Sequence, residues 1–194
     1  MDYPLSMTFK LLALAPQIYI RDANGQLKLY VKQQMFKLKE AVTVFEDEGQ
    51  TQPKYAMKAD RILDFGATYA LSDTAGNSLG SVKRRGARSI WKATFDIYDG
   101  ETHALTIEEE NPWLRVLQAV LGQIPIVGMI ANYLINPTYL VKRVNGTLLL
   151  KVKKLPAFFE GKFSISREAE FEANEEPRVV LSVLMMSLLE KSRG

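Results

Sequence analysis

The last apolar run of the chain, residues 179–189, constrains the fold more than any other stretch. Pro177, which suits the first turn of a helix, precedes the run, and charged residues follow it from Glu190 onward. Read at a helical period, the run has almost no polar face, so a helix here needs apolar surroundings on every side. At about 1.5 Å per residue it reaches roughly 20 Å, too short to cross a ~30 Å hydrocarbon layer. The run predicts a buried central helix over 177–191, with a buried β-strand as the alternative.

The composition argues against several classes of active site. The chain of 194 residues suits one domain, 1–194, and its lack of cysteine excludes disulfides, thiolate nucleophiles and cysteine-based zinc sites. The single histidine, His103, leaves little material for histidine-rich metal centres or catalytic triads. A net charge of +3 permits contact with anionic surfaces but does not indicate nucleic-acid binding. We therefore expect no cofactor, no metal and no nucleic-acid partner.

The N-terminal region contains a short apolar segment, 11–15, that follows Lys10 and includes an Ala-x-Ala triplet. The segment is too short for the apolar core of a signal peptide, and Pro16 stands where a cleaved chain would begin. We therefore expect a cytoplasmic protein, peripheral at the membrane if its surface binds lipid.

The first hundred residues contain short strands separated by turn signals. Apolar and polar residues alternate on both sides of the segment 22–25, which predicts an antiparallel hairpin with one buried face. The segments 22–25 and 73–76 share an Asp-x-x-Gly pattern, and a Val-Lys pair follows each at the same spacing. We interpret them as two copies of one strand–turn–strand unit, in which Asp bonds the turn backbone and Gly supplies a positive φ.

Strand character returns after residue 138. The sequence Val-Asn-Gly-Thr at 144–147 predicts a two-residue hairpin loop, and residues 148–152, 158–159 and 163–165 extend the sheet. An acidic loop, 169–176, then leads into the terminal helix.

Residues 111–138 differ from the strands on either side and form a predicted insertion. The periodicity near 112–136 is helical, and no charge occurs between Arg115 and Lys142. The pair Asn111-Pro112 starts a helix well, with Asn as the cap and Pro in the first turn. Three interpretations remain open: packed or capping helices, contact with a membrane interface, and a membrane span, against which the internal polar residues argue.

The order of the predicted elements is uncommon: many short strands are followed by one fully apolar C-terminal helix. In this order the chain resembles the Tubby C-terminal-like superfamily, most closely the LURP-one-related group with its small bacterial members, and more distantly the phospholipid scramblases. The stretches that carry the resemblance are Tyr19–Gly25, Phe36–Glu40, Val42–Phe45, Leu71–Leu79 and Val179–Leu189. The resemblance implies a mainly β (α+β) fold, a closed antiparallel β-barrel around a central C-terminal hydrophobic helix, with 112–136 as a helical insertion.

The superfamily also suggests a function. Tubby-type proteins bind phosphoinositides through basic residues of the barrel wall, although those positions have no one-to-one match here. The chain also lacks the cysteines and the calcium-binding segment of scramblase relatives. The resemblance therefore implies lipid binding as a class and transfers no individual site residue.

The densest basic cluster lies between the second repeated hairpin and the next strand. Guanidinium groups around a glycine, with an aromatic nearby, are suited to hold a phosphate or lipid headgroup, and a solvated turn is the alternative. The candidate headgroup-binding residues are Lys83, Arg84, Arg85, Arg88 and Lys92. The candidate membrane or partner contacts are apolar residues of the insertion: Trp113, Leu117, Ile124, Ile126 and Ile130.

No catalytic or metal-binding constellation emerges from the residue spacing. His103 near Glu101, with the acidic run 108–110, matches no strong ligand motif and reads more simply as a solvated acidic surface. The chain also has no phosphate-cradling glycine loop and no nucleophile elbow.

Three functional hypotheses follow from the sequence. The favoured one is a non-enzymatic barrel module that binds anionic phospholipid, or a protein partner, at the membrane surface. The second is a small-molecule carrier or enzyme with a pocket between barrel and insertion. The third is a structural module that forms homo-oligomers through residues 112–136.

Overall fold

The computed structural model describes residues 1–10, 17–32, 41–61, 67–85, 93–114, 136–157 and 160–191. Within these residues the chain forms twelve β-strands and a C-terminal helix, α1 (Glu175–Lys191). The strands are β1 (Leu5–Lys10), β2 (Gln17–Arg21), β3 (Leu27–Lys32), β4 (Ala41–Phe45), β5 (Pro53–Ala59), β6 (Thr68–Asp73), β7 (Ser78–Arg84), β8 (Thr94–Asp99), β9 (Thr102–Glu109), β10 (Thr138–Arg143), β11 (Leu148–Leu155) and β12 (Glu160–Arg167).

These strands form one closed antiparallel barrel. Each strand pairs with its neighbours in chain order, and β1 also pairs with β12, where Leu5 lies opposite Ile165. The seam between β3 and β4 is the loosest among the described residues, since its register consists of the pair Tyr30 and Phe45. The predicted mainly β fold, a closed barrel with a C-terminal helix, is confirmed.

The barrel has two unlike ends. At the turn end, short turns join β2 to β3, β4 to β5, β6 to β7, β8 to β9 and β10 to β11. At the opposite end, which we call the loop end, the connections are residues 11–16, 33–40, 60–67, 85–93, 110–137 and 156–159. Helix α1 runs from the turn end to the loop end, because Arg178 pairs with Asp99 at the first and Glu190 pairs with Arg84 at the second.

Helix α1 forms the core of the barrel. Residues 179–186 are at most 1% exposed, so all sides of the helix are covered, as its apolar sequence requires. Burying each Leu, Val or Met stabilises the fold by about 1.5–3 kcal/mol before entropy costs. Two helix serines satisfy their hydroxyls inside this apolar setting: Ser182 donates to the Arg178 carbonyl at 2.8 Å, and Ser187 to the Val183 carbonyl at 2.9 Å.

The two repeated Asp-x-x-Gly segments form equivalent turns. Asp22 Oδ1 accepts the Gln26 N–H at 3.0 Å, and Asp73 Oδ1 accepts the Asn77 N–H at 2.8 Å. The glycine of each turn has a positive φ, 77° in the first and 84° in the second. In each turn the aspartate side chain bonds the backbone and the glycine supplies the positive φ, as predicted from the repeated pattern.

The turn between β10 and β11 is longer than the predicted two-residue hairpin loop. The Arg143 N–H donates to the Thr147 carbonyl at 2.9 Å, and the Gly146 N–H donates to the Arg143 carbonyl at 2.8 Å. Like the turns at 22–25 and 73–76, it follows a strand that has a register shift near its end. It is therefore a third copy of the same turn. The two-residue loop that its Asn-Gly pair predicted is wrong.

Polar contacts fix the first turn of α1 to the barrel wall. The Arg178 guanidinium pairs with Asp99 at 2.7 Å and donates to the Leu79 carbonyl at 2.6 Å. Gly80 makes room for it: a Cβ there would lie 2.9 Å from Arg178 Nε and would overlap the Tyr98 carbonyl. Because Gly80 also has a φ of 115°, a side chain at this position would be strained as well as crowded.

A second contact at the turn end joins α1 to β10. Arg143 binds Glu175 through two hydrogen bonds, Nη2 to Oε2 at 2.6 Å and Nε to Oε1 at 3.0 Å. Burial raises the pKa of Glu175, but the hydrogen bonds from Arg143 and from the Glu172 backbone outweigh it and hold the net pKa below its ordinary value. The ionised carboxylate therefore stabilises the folded state.

Some predicted elements lie partly outside the described residues. The central helix, predicted over 177–191, begins at Glu175. At the start of the predicted insertion, Trp113 and Leu114 are helical, and Asn111 Oδ1 accepts the Trp113 N–H at 3.2 Å, as expected for a cap. The rest of the predicted helices, the stretch Phe36–Glu40 and the strand segment predicted at 158–159 lie outside the described residues.

We predict that Leu184→Asp abolishes soluble folding, because Leu184 is 0% exposed and a carboxylate there would be buried without a charged partner. Leu184→Ala should fold but lose about 2–5 kcal/mol of unfolding free energy in urea titrations. Val144→Asp is the control, since Val144 is 64% exposed and should tolerate the charge. A soluble Leu184→Asp protein that melts cooperatively would contradict the role of the helix.

We also predict a pH-dependent contribution from Glu175. Since its folded pKa is depressed, its stabilisation is fully present above its ordinary pKa of about 4.3 and is lost as the pH falls through the folded pKa. Glu175→Gln should cost about 2 kcal/mol at pH 7, and this difference from the wild type should shrink below about pH 4. Exposed Glu101→Gln should leave stability within about 0.5 kcal/mol of the wild type at pH 7. A Glu175→Gln deficit that persists at low pH would show that the carboxylate charge is not its cause.

Candidate functional site

The loop end of the barrel is surrounded by exposed cationic side chains. They lie on most of the strands that end or begin there: Lys10, Lys32, Lys58, Arg61, Lys83, Arg85, Lys153 and Lys162. Lys32, Lys58, Lys83 and Lys153 have no ion pair within the part of the chain that the structure describes. The loop end therefore carries positive charge that its own described carboxylates leave uncompensated.

The turn end is acidic because its turns are built from carboxylates. Asp47 Oδ1 accepts the backbone N–H of Thr51 at 3.0 Å and of Gln52 at 2.8 Å. These hydrogen bonds, that from Thr51 foremost, lower the pKa of Asp47. The cations of this end pair with carboxylates: Arg21 with Glu48, Lys28 with Asp22, Lys54 with Glu46 and Arg167 with Glu170. The barrel is thus electrically polarised along its axis.

The predicted headgroup cluster lies at the loop end, where β7 leaves the sheet. Lys83 is exposed on the outer wall, and the Arg85 side chain is 54% exposed. Arg88 and Lys92 lie outside the described residues. The structure thus brings Lys83 and Arg85 together on one face and separates Arg84 from them.

Arg84 faces the inside of the barrel. It is 7% exposed, its Nη2 lies 3.4 Å from Glu190 Oε1 near the end of α1, and its guanidinium lies 5.8 Å from the centre of the Phe95 ring. It therefore contacts the helix and the barrel lining, and it does not extend to a surface ligand. The alternation along β7 places Arg84 on the same face as Val82, which is 1% exposed.

Asp96 joins three strands on the outer wall beside this cluster. Its Oδ2 accepts Arg85 Nε at 2.8 Å, and its Oδ1 lies 3.1 Å from His103 Nε2 and 3.4 Å from Thr106 Oγ1. Lys83 is its register partner on β7. The hydrogen bond from Arg85 to Asp96 raises the pKa of Arg85, so the guanidinium stays charged.

Of the predicted apolar contact residues, Trp113 lies within the described part of the chain. This side chain is 75% exposed, and it follows β9 in the connection 110–137 at the loop end. Leu117, Ile124, Ile126 and Ile130 lie outside the described residues. An exposed tryptophan and the cations of the outer wall thus belong to the same end of the barrel.

The described ranges between residues 1 and 191 contain neither a metal cluster nor a membrane-spanning helix. No group of three His, Asp or Glu side chains among them is arranged to hold a metal ion. His103, considered with Glu101 in the sequence, contacts Asp96 and Thr106 instead. None of the helices described is both long and apolar enough to span a bilayer.

Sequence reasoning missed most of the basic side chains of the loop end. Lys10 and Lys32 are the last residues of β1 and β3, and Lys58 and Lys153 lie close to the ends of β5 and β11. The available signal was a lysine at or near the end of each odd-numbered strand except β9, which ends in two glutamates. Asp96 carries no such local signal, because its contacts depend on the register of three strands.

Comparisons with known proteins agree with this architecture. A family model described as LURP-one-related matches residues 27–122, from the start of β3 into the predicted insertion. This chain is similar to the crystal structure of a protein from Arabidopsis thaliana, with a TM-score of 0.50. The alignment covers 100% of this chain and 94% of the plant protein's chain. The two sequences are 14% identical, so this likeness shows the fold alone. A comparison with curated proteins gave no match.

Proposed function

As this chain belongs to the LURP-one-related family and folds as that family's barrel, we propose that it is a non-enzymatic module that binds anionic phospholipid at a membrane surface. The loop end would face the lipid. One observation carries the proposal: uncompensated exposed lysines surround the same end of the barrel that presents Trp113 at 75% exposure.

The electrostatics support this orientation. A surface that is basic at one end and acidic at the other turns its basic end toward an anionic leaflet, and each Lys or Arg near the surface contributes about 1 kcal/mol to binding. The attraction falls off within a Debye length of about 8 Å at physiological salt, so the cations must approach the headgroups closely. Lys83 and Arg85 on the outer wall meet that requirement, whereas buried Arg84 does not.

Trp113 supports the proposal through a different interaction. An indole ring has an apolar body and one N–H donor, and it prefers the headgroup region of a bilayer over water or hydrocarbon. The ring at the loop end would therefore add apolar contact to the charge attraction. Two weak signals of different kind would together hold the barrel reversibly at the surface.

We predict that Lys83→Glu combined with Arg85→Glu lowers binding to phosphatidylserine-containing vesicles by at least about thirtyfold, since two favourable cations become repulsive. Binding would be measured by vesicle co-sedimentation over a range of salt concentrations.

The matched control is Arg21→Glu combined with Arg167→Glu, which makes the same charge change at the turn end. Thermal melts would verify that both double variants fold. An equal loss in the two variants, or equal wild-type binding to phosphatidylcholine vesicles, would contradict the proposal.

We also predict that the fluorescence of Trp113 shifts to the blue when the protein binds anionic vesicles, because the indole leaves water. The chain has two tryptophans, Trp91 and Trp113, so single variants assign the signal. The shift should persist in Trp91→Phe and disappear in Trp113→Phe. A shift that survives only in Trp113→Phe would remove Trp113 from the contact.

A further inference from the structure

Asp96 is a carboxylate placed among the cations of the loop end. It occupies β8 on the outer wall, opposite Lys83 on β7 and Thr106 on β9. Its side chain is 12% exposed and accepts hydrogen bonds from Arg85 Nε and Thr106 Oγ1, and His103 Nε2 lies 3.1 Å from its Oδ1. This carboxylate is therefore fixed in place.

Arg85 differs from Asp96 in its exposure to solvent. It stands just after β7, where the connection 85–93 begins, and its side chain is 54% exposed, against 12% for Asp96. A guanidinium binds a carboxylate and a phosphate with the same planar arrangement of N–H donors. Asp96 thus holds the donor that a lipid phosphate would need.

We propose that Asp96 is an internal competitor of lipid phosphate for Arg85. In the unbound protein Asp96 holds Arg85 against the wall, and at an anionic membrane the guanidinium leaves Asp96 and binds a phosphate. This inference rests on the function proposed above and adds a threshold to it. A surface with few net anionic headgroups does not displace the carboxylate, whereas a surface with many does.

The experiment compares Asp96→Asn with the wild type in binding vesicles of phosphatidylcholine that contain increasing phosphatidic acid. Asparagine keeps the shape and removes the charge. At a given phosphatidic acid content the variant should bind about fivefold more tightly, the gain expected from one additional cation at the surface.

A double-mutant cycle separates this effect from a general gain in positive charge. In an Arg85→Gln background, Asp96→Asn should increase vesicle binding by no more than Asp60→Asn does. Asp60 is the matched control because it is an exposed carboxylate at the same end, paired with Arg61 at 3.3 Å.

Every result decides the inference. If the wild type binds and the gain of Asp96→Asn is the same with and without Arg85, the competition is refuted and the proposed function stands. If neither protein binds any vesicle, both fail. If Asp96→Asn binds where the wild type does not, the internal carboxylate is the block.

A measurement on the wild type covers the case in which Asp96→Asn does not fold. The NMR resonance of Arg85 Nε–H reports directly on its hydrogen-bond acceptor. It should shift when lipid nanodiscs with phosphatidic acid are added, and stay unchanged with phosphatidylcholine nanodiscs. An unchanged resonance in nanodisc-bound protein would overturn the inference.

Discussion

The burial of one all-round apolar helix inside a closed wall governs the rest of this structure. Because residues 179–186 touch the barrel on every side, each strand must present apolar side chains inward, and charged groups are tolerated inside only near the ends of the helix. Arg178 and Glu175 anchor one end through Asp99 and Arg143, and Glu190 reaches Arg84 at the other. These contacts fix where the helix sits along the barrel axis. The inside of the barrel is therefore used for folding, and the outer wall and the connections are available for binding.

The charge asymmetry of the barrel has a structural origin. Tight turns require side chains that hydrogen-bond their own backbone, and aspartates such as Asp22, Asp47 and Asp73 do this at the turn end. Acidic residues thus accumulate where the fold needs them, and the exposed lysines dominate the other end. An electrical polarity along the axis follows from turn chemistry before any ligand is considered.

How far the sequence predicts this molecule depends on whether a feature is local. The central helix, the Asp-x-x-Gly turns and the Asn111 cap were readable because each rests on residues close in the chain. The linear run of basic residues predicts a surface position for Arg84, whereas strand alternation places it on the inner face with Val82. The contact of Asp96 with Arg85 and His103 was not predictable, since it requires the register of β7, β8 and β9.

The order of the elements also bears on how the protein reaches its fold during synthesis. Helix α1 leaves the ribosome after all twelve described strands, and β1 finds its second partner only when β12 has been made. All strands of the barrel are therefore synthesised before the helix that fills its interior. Until α1 is made, the apolar faces of the strands are exposed to solvent. Such long-range closure is slow to form compared with local hairpins. Truncation within α1 would leave a chain with most of its sheet and no interior, a species prone to aggregate rather than a smaller folded protein.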